Sequence, residues 1–195
     1  PDLTILAEHV TEGGIIEMAY QEEPLAIIWC VRNDGELVAL TYQREQQVVA
    51  WHRHVFAGAF GSGNAVCESV AVIPTEDSEY ELYMIIKRTI NGATKRYVEF
   101  LNTFDFDESD NTSFNFLDSQ LSYSGSSATT ISGLSHLEGQ EVSILADGAT
   151  HPNKTVSSGS ITLDRAATKV KVGLGYTSLL KTMRIDAGAQ NGTSQ

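Results

Sequence analysis

Residues Pro24–His54 read PLAIIWCVRNDGELVALTYQREQQVVAWHRH. The reading of this stretch decides the fold. It holds three apolar-rich segments, Leu25–Arg32, Glu36–Gln43 and Val48–Phe56. Asn33-Asp34-Gly35 separates the first two, and an Asp-Gly step favours a tight hairpin because Gly accepts φ > 0 without a side-chain clash. The polar run Arg44-Glu45-Gln46-Gln47 joins the second to the third. In the third segment Val49, Trp51, Arg53 and Val55 point one way and Ala50, His52, His54 and Phe56 the other. The pattern predicts a three-stranded antiparallel meander carrying both tryptophans, Trp29 and Trp51. Trp29, inside a continuous apolar run, is expected in the core.

Outward from this unit the same pattern recurs. Asp2–Val10 predicts one short helix, with Asp2 as its cap, an apolar stripe at Leu3, Leu6, Ala7 and Val10, and a stop at Gly13-Gly14. Ile15–Tyr20 predicts a strand. A Gly-rich loop, Ala57–Asn64, leads to the strand Val66–Ile73, which stops at Pro74. Tyr80–Ile90 and Thr94–Leu101 flank Asn91-Gly92, a two-residue hairpin signal of the I′ type. Each three-stranded unit alone leaves a hydrophobic face bare, and stacking the units face to face covers it.

Asn102–Asn115 breaks the pattern with an acidic, turn-rich connector. From Phe116 onward Ser, Thr and Gly dominate. Strands are predicted at Gln120–Ser124, Ala128–Ser132, Glu141–Ala146, Thr155–Val156, Gly159–Leu163 and Lys169–Leu174, with turns at Asp147-Gly148 and Ser158-Gly159. The expected organisation is a β region over 1–115 followed by a small β-barrel or β-sandwich over 116–195.

The 195 residues suffice for one large or two small cores, and the net charge of −12 argues against nucleic-acid binding because phosphates are repelled. Cys30 and Cys67 are too few for a disulfide framework and read as buried free thiols, which fits a reducing cytoplasm. No apolar run approaches membrane-spanning length and no signal peptide is visible, so membrane insertion is not expected. The missing initiating Met and the polar tail at residues 187–192 suggest a processed or excised piece.

No residue set carries a catalytic motif, and no cofactor is expected. His52 and His54 share a strand face and are the first candidates for two zinc ligands, without a third at recognisable spacing. Asp105, Asp107, Glu108 and Asp110 resemble a calcium loop in composition but lack its sixth-position Gly and closing Glu, so a solvated linker is the simpler reading. Glu8, Asp34, Glu68 and Glu99 are acids that nothing in the sequence pairs for glycoside cleavage. Trp51, His52, Arg53 and His54 together are the candidate surface or assembly contact.

The stretches Trp29, Asp34-Gly35-Glu36-Leu37, Leu40-Thr41-Tyr42-Gln43-Arg44-Glu45-Gln46 and Ala50-Trp51-His52-Arg53-His54 resemble a recurrent block in tail proteins of short-tailed bacteriophages and related prophages. Glu68-Ser69-Val70-Ala71-Val72-Ile73-Pro74, Lys87-Arg88-Thr89-Ile90-Asn91-Gly92 with Arg96-Tyr97-Val98-Glu99, and Gly133-Leu134-Ser135-His136-Leu137-Glu138-Gly139-Gln140-Glu141-Val142 with Ala146-Asp147-Gly148 extend the match, as does the opening Asp2-Leu3-Thr4 with Ala7-Glu8-His9. The order is kept over nearly the whole chain, which is similar to the tail nozzle (tail tubular protein B) family.

That resemblance implies an all-β fold of β-propeller-blade-like antiparallel meanders and a non-enzymatic virion component. It implies a piece of a longer chain, assembled in the host bacterial cytoplasm with copies of itself and neighbouring tail and adaptor proteins. Were the assembly to line a DNA conduit, an acidic wall would keep the genome from sticking. The alternative is a carbohydrate-binding or receptor-adhesion module, with or without glycan hydrolase activity, whose partner is a host-surface glycan. The Ser/Thr-rich second region, with Tyr123, His136 and Tyr176, is its better location.

Overall fold

The computed structural model describes residues 2–5, 7–76, 79–102 and 109–180. The protein is all-β: strands take 61% and helix 4% of the described residues. Four strands, β1 (Ile15–Gln21), β2 (Ile27–Arg32), β3 (Leu37–Gln43) and β4 (Val48–His54), form an antiparallel meander in sequence order. The predicted three-stranded unit thus gains a fourth strand, because Met18–Gln21 pair in register with Cys30–Ile27.

Turn chemistry sets the register. The Gly35 N–H donates to the Arg32 carbonyl at 2.9 Å and the Arg32 N–H to the Glu36 carbonyl at 3.0 Å, with Gly35 at φ 83°. This is a three-residue loop closed by a left-handed residue. Gln47, at φ 57°, plays that part between β3 and β4, its N–H reaching the Arg44 carbonyl at 3.2 Å.

A small hairpin, β5 (Ala59–Phe60) with β6 (Gly63–Asn64), occupies the Gly-rich loop. Then β7 (Val66–Pro74), β8 (Tyr80–Ile90) and β9 (Ala93–Phe100) make a second antiparallel sheet. Asn91 and Gly92, at φ 49° and 72°, form the two-residue turn that the sequence predicts.

The two sheets pack face to face. Ile27, Trp29, Val31, Leu37 and Ala39 meet Cys67, Val70, Leu82, Met84 and Ile86 in one buried cluster. The period of two explains the partition: the intervening Cys30 and Val38 point to the opposite face, where they pack with Ala7, Val10 and the half-buried Trp51. The run Ile27–Val31 is continuous in hydrophobicity because both faces of β2 are covered.

Gly35 also sits where the hairpin tip meets the second sheet. A Cβ there would lie 2.1 Å from Val66 Cγ1, and the Gly35 carbonyl accepts from the Cys67 N–H at 2.9 Å.

The predicted helix is a single turn, α1 (Glu8–Thr11), rather than Asp2–Val10. Asp2 does not cap it. Its Oδ1 accepts from the Thr4 N–H at 2.8 Å and the Thr4 hydroxyl at 2.7 Å, so the side chain closes a local turn instead. Gly13 and Gly14, at φ 94° and 85°, follow the turn as expected.

The second region departs from the prediction of a six-stranded barrel or sandwich. Among the described residues it is one four-stranded sheet, order β10-β13-β11-β12, with no closed barrel. The strands predicted at Gln120–Ser124 and Ala128–Ser132 are one 15-residue strand, β10 (Asp118–Ser132). Gly159–Leu163 and Lys169–Leu174 are likewise one 15-residue strand, β13 (Ser160–Leu174). Register shifts between Ser124 and Thr130 mark the bulges that bend the pair, and Gly and Ser there carry too little apolar surface to show continuity. β11 (Glu141–Ala146) turns through Asp147-Gly148 into β12 (Ala149–Thr155), which holds Pro152 and was expected only at Thr155–Val156. A proline lacks the ladder N–H, and β12 is an edge strand where that is tolerated. Ile131, Leu134, Leu137, Val142, Val170 and Val172 centre the core of this sheet, and Ala57 of the first region is buried in it.

Candidate functional site

Strand β4 presents the four residues singled out by the sequence on its two faces. Trp51 and Arg53 point to the N-terminal segment and hold it. Trp51 Nε1 donates to the Leu3 carbonyl at 2.9 Å, and the Arg53 guanidinium donates to the His9 carbonyl. Arg32 reaches the Val10 carbonyl at 3.0 Å from the neighbouring strand. Three side chains thus secure a segment whose own helix is one turn long.

His52 and His54 point to the other face, over Trp29. The His54 ring lies 5.1 Å and the His52 ring 6.3 Å from the Trp29 ring, centroid to centroid. A polar chain links them: Thr41 Oγ1 is 3.0 Å from His52 Nε2, and His52 Nδ1 is 2.7 Å from His54 Nε2. Burial holds His52 below the usual imidazole range. Burial, with the charge of His52 as a second cause, brings His54 down to about 4. The pair is therefore neutral at pH 7 and shares one N–H between its facing nitrogens.

The zinc and calcium candidates fare differently. Among the described residues no group of three or more His, Cys, Asp or Glu side chains is placed to hold a metal ion. Asp105, Asp107 and Glu108 lie outside the described residues. Asp110 accepts from the Thr112 N–H at 2.9 Å and hydroxyl at 2.5 Å and pairs with Lys169 at 3.0 Å. Those hydrogen bonds, with Lys169, bring its carboxyl down to about 2. Its role is to tie the connector to β13.

The acids considered for glycoside chemistry are not brought together by their contacts. Glu68 bridges Lys87 and Arg96 at 2.6 Å each, Asp34 pairs with Arg32 at 2.5 Å, and Glu99 receives the Arg88 guanidinium. Arg88 is fully buried, its Nη2 reaching Glu99 Oε2 at 3.1 Å and its Nε the Ala57 carbonyl at 2.8 Å. The Ala57 N–H donates to Asp118 Oδ2 at 2.6 Å. Burial raises the Asp118 carboxyl above its ordinary range.

This joint borders a cavity of about 680 Å³ between strand β9 and the start of β10, with Tyr97, Phe116, Gln120, His136 and Lys171 among its walls. The sequence singles out none of these as a set, because they come from four separate stretches. Tyr97 donates to the His136 carbonyl at 3.1 Å, which docks the short 3-10 helix Ser135–Leu137 against β9.

Both cysteines are free and buried, Cys67 of β7 between the two packed sheets and Cys30 of β2 on the opposite face of the first sheet. Burial raises the Cys30 thiol and brings Cys67 up to about 12. Thiols so suppressed are poor nucleophiles. Compared with known proteins, the chain matches no protein-family model and no curated protein.

Proposed function

We propose that this chain is a structural component of a bacteriophage or prophage tail, nozzle-like, acting through protein–protein assembly. One observation supports the reading most: each of the two packed sheets leaves an apolar row on its outer face. On the first sheet Met18 and Tyr20, beside Ile16, are exposed at 66% and 57%. On the second, Ile85 opposite Val98 and Tyr83 opposite Phe100 form cross-strand pairs, with Val98 exposed at 72%. Contiguous rows of this kind fit contact with further sheets or subunits, although Val98 and Phe100 also border the cavity described above. The net charge of −12 suits a component beside passing DNA, because an acidic wall does not retain phosphates.

The expected partners are copies of the chain and neighbouring tail and adaptor proteins, and the expected location is the virion tail. Mass spectrometry of purified particles tests this. The reading expects peptides such as EQQVVAWHR (Glu45–Arg53) in the particle. Their absence from particles, with the protein free in the lysate, overturns it.

A further inference from the structure

The cavity between β9 and β10 carries chemistry that assembly does not use. Lys171 is half-buried on its wall, its Nζ donating to Asn115 Oδ1 at 2.9 Å and Ser122 Oγ at 3.1 Å. No carboxylate pairs with it among the described residues, whereas its strand neighbour Lys169 is paired with Asp110. An ammonium has three donors, so one remains for a ligand. Burial, with Lys169 adding to it, lowers the Lys171 amine, and a bound anion would relieve that.

Gln120 holds the lysine's anchor in place. Its Nε2 donates to Asn115 Oδ1 at 2.6 Å, the same oxygen that accepts from Lys171, so the two side chains share one anchor on the wall. Phe100, Phe116 and Tyr176, each about half exposed on the same cavity, add flat apolar faces. The two carboxylates on the wall are already engaged, Glu99 by Arg88 and Asp118 by the Ala57 N–H.

We propose that this cavity binds a carboxylate-bearing sugar unit, its acid group on Lys171 and its ring face on the aromatic wall. A purely apolar ligand would leave the ammonium dehydrated without compensation. A polyphosphate or nucleic acid would meet a net charge of −12 with a single free lysine in the site. The volume suits one or two sugar rings. The inference does not depend on the assembly reading and fails separately from it.

The test titrates the 195-residue chain, followed by NMR, with galacturonate, glucuronate and N-acetylneuraminate. Galactose and glucose serve as neutral controls, and trigalacturonate distinguishes a polymer source from a free monosaccharide. At least one acidic sugar is expected to bind about tenfold more tightly than its neutral counterpart. Lys171→Gln should abolish that preference, Lys171→Arg should keep it, and Tyr176→Ala should weaken acidic and neutral sugars alike. Tighter binding of trigalacturonate than of galacturonate would point to a polymer source. No binding by any acidic sugar at roughly 50 mM overturns the proposal. So does a preference for the acid that survives Lys171→Gln in a folded protein.

Discussion

Arg88 and Asp118 hold the two ends of one residue. The Arg88 Nε donates to the Ala57 carbonyl at 2.8 Å, and Asp118 Oδ2 accepts the Ala57 N–H at 2.6 Å. Strand β8 and strand β10 thereby clamp the same loop. The next residue, Gly58, leaves no room for a side chain: a Cβ there would lie 2.9 Å from Arg88 Cδ and 3.1 Å from Leu174. The first region and the second are joined through this point.

The joint predicts an asymmetry. Arg88→Met leaves Glu99 partly buried without its cation and should cost about 3–5 kcal/mol in urea unfolding. Adding Glu99→Leu should recover a large part of that loss. Asp118→Asn keeps an acceptor for the Ala57 N–H and should cost less than about 1 kcal/mol. Asp118→Ala leaves that N–H unpaired and should cost about 1–3 kcal/mol.

The histidine pair predicts acid sensitivity. The folded value for His54, about 4, lies below its ordinary 6.5, so the unfolded chain binds the proton first. The stabilisation is full above pH 6.5 and is lost as pH falls from there to about 4. Equilibrium unfolding followed across that window should show a loss on the order of 3 kcal/mol. His54→Phe should remove most of the slope.

Much of this architecture was legible beforehand, for reasons that particular residues make plain. Asn91-Gly92 encloses an unambiguous turn, and β8 appears in the sequence with its observed bounds, Tyr80–Ile90. The alternation Val49/Trp51/Arg53 against Ala50/His52/His54 placed the two faces of β4, because a period of two is enforced by the pleat. The N-terminal segment is helical over one turn only: Ala7 and Val10 of the expected stripe are buried and Leu6 lies outside the described residues, and three side chains of other strands secure the segment. The long bent strands β10 and β13 were split, since bulges interrupt the alternation that signals a strand. Arg88 could have been noticed. It occupies the inward position of the series Leu82, Met84, Ile86, Arg88 and Ile90, where a charge demands a buried partner. The cavity was not legible, because long-range packing alone brings Gln120, His136 and Lys171 together.

Gly35 predicts a contact-specific defect. Gly35→Ala meets both a positive φ and Val66 Cγ1 at 2.1 Å, and should cost about 1–3 kcal/mol. Gly61→Ala, also at positive φ but with nothing within 4 Å, should cost only the backbone term of about 1 kcal/mol. Val66→Ala in the Gly35→Ala background should recover part of the difference, read as the shift in urea midpoint.

The thiols predict slow labelling. Cys30 and Cys67 are each 1% exposed, so both should resist Ellman's reagent at pH 8 in the native protein and react promptly in denaturant. Prompt reaction of either thiol in native protein would contradict their burial.

The central claim, that the outer sheet faces are covered in a tail assembly, is tested most directly by hydroxyl-radical footprinting of Met18, Tyr20 and Phe100. The account predicts ready oxidation of all three in the isolated chain and protection of Met18 with Tyr20, of Phe100, or of both faces in purified particles. Equal oxidation of the three in both preparations, or no trace of the chain in particles, would contradict it.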